Sequence, residues 1–139
     1  MTNLALPSEP EVRVAGLPGE TAVISLLREH DIATAWEVRN VIACALKQGT
    51  HSVVDLSETE FIDSTIIHVL FESKQLAQEH GRRVSLQLPA DARVRRALEI
   101  TEMLDVLPVY GTRAEAIDAV RQPRDKNTER RERWRSSWL

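Results

Sequence analysis

Apolar residues in this chain change their spacing again and again, and that change of rhythm constrains the fold more than any other feature. Short runs that are apolar at every second position, or continuously, mark strands, whereas spacing of i, i+3, i+4 marks helices. Glu11-Val12-Arg13-Val14-Ala15 alternates weakly, and after the Pro18-Gly19 turn residues 21–27 make a stronger strand, so an opening hairpin is expected. Thr34-Ala35-Trp36-Glu37 reads as a capping box, with a helix running from it to about Lys47. Val38, Val41, Ile42, Ala45 and Leu46 fall on one face of that helix, and Gly49 can end it. Residues 51–56 form a short strand with a continuous apolar middle, as an interior strand covered on both faces requires.

A polar loop over 57–60 then leads to Phe61-Ile62-Asp63-Ser64, from which Ile66, Val69, Leu70, Ser73, Leu76 and Ala77 repeat at helical spacing until His80-Gly81. Residues 83–88 alternate as a further strand, and 91–101 carry Val94, Ala97, Leu98 and Thr101 on one helical face. Leu107-Pro108-Val109-Tyr110 fits an edge strand, because proline lacks the donor a ladder needs, and Thr112-Arg113-Ala114-Glu115 is a second capping box before Ile117 and Val120. The order β-β-α-β-α-β-α-β-α implies an α/β domain with a mostly parallel mixed sheet of four to five strands flanked by about four helices.

The length of 139 residues suits one domain with its own core, and 42% apolar with 28% charged residues is an ordinary globular composition. The boundaries expected are a flexible segment over 1–10, the domain over 11–120, and a tail over 121–139. That tail holds seven basic and three acidic residues against 11 and 18 in the rest, so the net charge of -3 divides into a basic end and an acidic body. Trp134 and Trp138 lie four residues apart among its arginines, but a solvated, disordered tail is the expectation. Cys44 cannot form an internal disulfide, and its apolar neighbours suggest a small buried side chain. No targeting segment or run long enough to span a bilayer is visible, so a cytoplasmic protein is expected.

Chemistry concentrates where the central strand hands the chain to the second helix. Asp63 can cap that helix by accepting from its first N–H groups, which leaves the hydroxyls of Ser64 and Thr65 in the exposed first turn. A kinase can reach Ser64 there, whereas the Thr65 hydroxyl has a competing role inside the turn. Phosphate would add about -1.5 to -2 charges beside Asp63, partly offset by the positive end of the helix dipole. His68 lies one turn beyond Ser64, but no Gly-x-Ser-x-Gly elbow or oxyanion loop accompanies the pair, so a serine hydrolase is not expected. Asp31 stands before the first helix and is positioned for a partner surface or a solvated loop; Asp55, at a strand end, is expected to bond the loop that follows it and not a metal. Glycine-rich phosphate cradles are absent, and neither a cofactor nor direct DNA binding is expected.

Asp55-Leu56-Ser57, Phe61-Ile62-Asp63-Ser64-Thr65 and Glu29-His30-Asp31-Ile32-Ala33-Thr34-Ala35 resemble the STAS domain of bacterial anti-sigma factor antagonists, over a span from about Val12 to Val120. The resemblance implies a sheet flanked by helices and a non-enzymatic switch in which a partner serine kinase, itself an anti-sigma factor, phosphorylates Ser64. It implies further that this kinase binds only the unphosphorylated form, which releases a sigma factor. Asp31, Asp63, Ser64, Thr65 and His68 are then the expected partner surface, on a monomer or weak dimer. The family pattern has glycine where this chain has Ile66, often where it has His68, and commonly where it has Arg28. Ile66 and His68 are expected to add bulk at the partner surface, and they motivate an alternative: a STAS scaffold or sensor subunit without a phosphorylation cycle.

Overall fold

The computed structural model describes residues 9–122. Expectations about 1–8 and 123–139, including the flexible N-terminus and most of the basic tail, lie outside them. The strands are β1 (Glu11–Leu17), β2 (Thr21–His30), β3 (His51–Asp55), β4 (Thr59–Ile62), β5 (Val84–Gln87) and β6 (Val109–Tyr110). The helices are α1 (Ile32–Lys47), α2 (Ser64–Glu79), α3 (Arg95–Ile100), α4 (Met103–Val106) and α5 (Arg113–Arg121). A single mostly parallel six-stranded sheet runs β1-β2-β3-β5-β6, with β1 antiparallel to β2 and β4 joined to the far end of β2.

Register explains why the sheet is covered on both faces. Ile24 pairs with Val54 and Val54 with Leu86, so these three form one row across parallel strands. They pack with Val38, Ile42 and Leu46 of α1, Ile66 and Leu70 of α2, and Leu98 and Met103 of α3 and α4. Neighbouring residues point the other way, as the two-residue period requires. Val23 and Val53 therefore meet Ala116 and Val120 of α5 in a smaller cluster on the reverse face. The alternation of β5 arises here, because Ser85 and Gln87 are buried beneath α5 and not solvated. The Ser85 hydroxyl donates to the Ala116 carbonyl at 2.9 Å.

Several local expectations are corrected. α1 starts at Ile32 with Asp31 as its cap, not at a Thr34 box, since the Asp31 carboxylate accepts from the Ala33 N–H at 2.8 Å. The Thr34 hydroxyl instead lies 3.0 Å from Nδ1 of the fully buried His30. The expected 57–60 loop is half strand: the Thr59 hydroxyl donates to the Leu26 carbonyl at 2.6 Å, and β4 then pairs with residues 28–30 of β2. β2 runs three residues past Leu27 for the same reason. The helix expected over 91–101 begins at Arg95 and is followed by α4 after Glu102, whose φ of 60° places it in the left-handed region and breaks the spiral. Cys44 is exposed, because it follows Ile42 by two residues and so turns half-way round α1 from the buried Val38-Ile42-Leu46 stripe.

Arg28 has a φ of 70°, at the bulge between Arg28 and Glu29 within the β2–β4 pairing. That backbone region favours glycine, and a side chain there costs about 1–2 kcal/mol, partly recovered because arginine loses less chain entropy on folding. Arg28→Gly is expected to raise stability by about 0.5 kcal/mol and Arg28→Val to lower it by about 1 kcal/mol or more, β-branched residues being the least tolerant of positive φ. Urea unfolding of the three proteins measures both.

Candidate functional site

Two helices begin side by side at the C-terminal end of the parallel strands, and one carboxylate serves both. Asp63, extended at φ -102°, caps α2: its Oδ1 accepts from the Thr65 N–H at 3.0 Å and the Ile66 N–H at 3.2 Å. Its Oδ2 accepts from the Ile32 N–H, the first of α1, at 3.2 Å. Desolvation would push the Asp63 carboxyl up, but hydrogen bonds from the Thr65 hydroxyl and from the N–H groups of Ile66, Thr65 and Ile32 outweigh it and hold the carboxyl below its usual range. Asp31 performs the same task locally for α1.

The two hydroxyls at the start of α2 differ in what they do. Thr65 donates its hydroxyl to Asp63 Oδ1. Ser64 is exposed, and among the described residues its hydroxyl has no hydrogen-bond partner. Ser64 and Thr65 line one wall of a groove of about 510 Å³ with His68, Val69 and Glu72, and Ile32, Ala35, Trp36 and Arg39 of α1 form the other. His68 is 71% exposed, and its Nε2 lies 2.7 Å from Glu72 Oε1. Glu72 also pairs with Arg39, which links the two helices across the groove. Ser64 and His68 share this wall, but no orienting acid holds the imidazole against the serine; Glu72 draws it the other way.

Ile66 overturns one expectation. It is fully buried, packed on the stripe with Val69 and Leu70, and so adds no bulk to the exposed surface. The helical period decides this, since a residue two places beyond Ser64 is turned about 200° from it. His68 alone of the two stands on the surface.

Asp55 lies apart from this groove, on the reverse side of β3. Its Oδ1 accepts from the Ser57 N–H at 2.9 Å and the Ser57 hydroxyl at 2.6 Å, which shapes the turn into β4. Its Oδ2 accepts from Arg113 Nη2 at 2.9 Å and from the Ser25 hydroxyl at 3.4 Å. Arg113, in the first turn of α5, was not singled out from the sequence. The available signal was its place, because a cation at a helix start opposes the dipole and needs another partner. His30 was also missed: Nε2 bonds the Leu27 carbonyl at 2.9 Å while Nδ1 accepts from Thr34, and burial pushes its pKa down, so the ring is a neutral strut beneath α1. Among the described residues no three His, Cys, Asp or Glu side chains are grouped to hold a metal ion, and no helix is long and apolar enough to cross a membrane.

A six-stranded mixed sheet with a capped, serine-bearing helix start at one end defines a class of α/β domain. Residues 11–116 match the STAS domain, and the chain belongs to that family. Its structure is similar to an anti-sigma factor antagonist from Mycobacterium paratuberculosis, at 29% identity and a TM-score of 0.68, covering 86% of this chain and all of that one. The phosphorylated form of the Bacillus cell fate determinant SpoIIAA shares the fold at 23% identity and a TM-score of 0.62, over 80% of this chain and all of that one. So does an anti-sigma factor antagonist from Thermotoga maritima described as putative, at 22% identity and 0.69, over 80% and 95%. A search of curated proteins finds no match.

Three expectations follow for stability. Asp63→Ala removes the α2 cap and the tie to α1 and should cost about 1–2 kcal/mol, with Asp63→Asn costing less. Because the folded carboxyl titrates below its unfolded value, the stability it adds is fully present above the unfolded value of about 3.9 and is lost as pH falls through the folded one. Urea unfolding between about pH 7 and pH 2 should therefore fall less steeply in acid for Asp63→Asn than for the parent. Ile66→Gly should destabilise by about 3–5 kcal/mol, since it opens a cavity and loosens a helix, and a thermal melt measures that loss.

Proposed function

We propose that this protein is an anti-sigma factor antagonist that binds a serine-kinase anti-sigma factor through the exposed start of α2 and the neighbouring Asp31, and that phosphorylation of Ser64 switches this binding off. The observation that carries the reading is the difference between the two hydroxyls. Thr65 spends its hydroxyl on Asp63, whereas that of Ser64 is exposed without a partner among the described residues. A kinase must take a hydroxyl that is reachable and not already committed. The Mycobacterium paratuberculosis neighbour is itself an anti-sigma factor antagonist, and the Bacillus neighbour exists in a phosphorylated form; both support the assignment.

Phosphate at Ser64 meets the N-terminal N–H end of α2, where the helix dipole favours an anion, so the fold tolerates it. The adjacent Asp63 carboxylate opposes it, which keeps the phosphate turned outward toward the partner surface. Ser64 thereby changes the surface without changing the core. Asp31, Asp63, Thr65 and His68 frame the contact, and binding of the kinase by the unphosphorylated form would free a sigma factor.

The exposed His68 beside Ser64 favours a second reading, a scaffold subunit with no phosphorylation cycle. Incubation with ATP and each serine-kinase anti-sigma factor encoded in the same genome separates the two. The switch predicts a single phosphate, mapped by mass spectrometry to Ser64 and absent in Ser64→Ala. A stable assembly in light scattering, with no kinase that modifies or binds the protein, would instead establish the scaffold.

A further inference from the structure

Two large apolar side chains on α1 have no place in the core. Ile32 and Trp36 lie one helical turn apart, each 74% exposed, and both line the groove whose other wall carries Ser64. The buried stripe of α1 is Val38, Ile42 and Leu46, from which Trp36 is turned half-way round the helix. An indole left in water is unusual unless something covers it, since tryptophan is among the residues most enriched at the centres of binding surfaces.

The surroundings say what kind of surface covers it. Asp31 immediately precedes Ile32 and Asp63 immediately precedes Ser64, with the Asp63 carboxylate on the Ile32 N–H, so two carboxylates stand at the mouth of the groove, and Glu72 lies in its wall. Of the nearby bases, Arg28 reaches Glu11 at 3.7 Å, and Arg39 and His68 in the groove both pair with Glu72. The rim is acidic and its centre apolar.

We propose that Ile32 and Trp36 are the apolar anchor of the partner-binding face, and that the partner is a protein with an apolar pocket rimmed by arginine and lysine. This rests on the reading of Ser64 as the switch. It also changes how the switch works. A phosphate added to an acidic rim does not repel a basic partner at long range; it acts at contact, because the outward-turned phosphate must be desolvated where the partner closes over the apolar patch at Trp36. Charge complementarity sets the association rate, and the packed indole sets the lifetime of the complex.

The test uses the full chain with Trp134→Phe and Trp138→Phe, which leaves Trp36 as the sole indole of the three in the sequence. The probes are the purified serine-kinase anti-sigma factors of the same genome. In the free chain Trp36 should be open to acrylamide quenching, and a bound kinase should shield it and shift its emission to the blue. Trp36→Ala in the otherwise unaltered chain should weaken binding about 30-fold or more at unchanged Tm. Raising NaCl from about 50 mM to about 500 mM should slow association about tenfold. A kinase that binds the parent and Trp36→Ala equally well overturns the anchor and leaves the Ser64 reading intact. Association indifferent to salt overturns the basic partner. Shielding of Trp36 in the free chain would mean that the chain itself or a second copy fills the groove, which also overturns the proposal. Binding by no kinase overturns both the anchor and the reading beneath it.

Discussion

One carboxylate organises the end of this molecule at which α1 and α2 begin. Asp63 is shared by the first turns of two helices that come from sequence segments 31 residues apart, and it does so with ordinary N–H to carboxylate hydrogen bonds. Each helix would otherwise leave orphan N–H groups at its start. Satisfying both from one residue fixes where α1 begins relative to α2, and so fixes the two walls of the groove. Ser64 inherits its exposure from this arrangement: with Asp63 as cap and Thr65 turned back to it, Ser64 is the first-turn hydroxyl left facing solvent.

The support behind that carboxylate is layered. β3 delivers the chain, Asp55 holds the turn through Ser57, and β4 pairs with the extended end of β2 before the chain reaches Asp63. On the α1 side, neutral His30 braces Thr34 and the Leu27 carbonyl, so the start of α1 rests on a buried ring. From the reverse face, Arg113 pairs with Asp55, whose side chain is only 5% exposed, and ties α5 to the same turn. A buried carboxylate left without its partner is costly. The site is thus held from three directions while its own surface stays open.

The long periodic segments were legible in the sequence because each is decided by its own pattern. The Val38-Ile42-Leu46 and Ile66-Leu70-Ser73 stripes define α1 and α2, and the run around Val53-Val54 defines the central strand. What the sequence obscured depended on tertiary partners. β4 is four residues without a clean alternation and becomes a strand only because β2 extends to meet it. Asp31 and Thr34 are both able to cap, and the buried His30 decides between them by occupying Thr34. Asp55 and Arg113 are 58 residues apart, with nothing in either segment to announce the other. Ile66 shows a different failure: its proximity to Ser64 in sequence suggested the surface, while its place on the apolar stripe put it in the core. At the site itself, the Asp63 cap could be read from residue types, but the unequal fates of the Ser64 and Thr65 hydroxyls depend on how the folded turn directs each of them.

On the proposed reading, Ser64 changes charge without disturbing the frame that holds it. Amide 1H–15N spectra of the chain with phosphoserine installed at position 64, compared with the unmodified protein, test it most directly. Shifts confined to residues around 31–36 and 63–68, with the sheet and α5 unmoved, are the predicted result. Changes spread through the strands and α5, or loss of dispersion, would contradict it by showing that Asp63 and its two helices cannot carry the added phosphate.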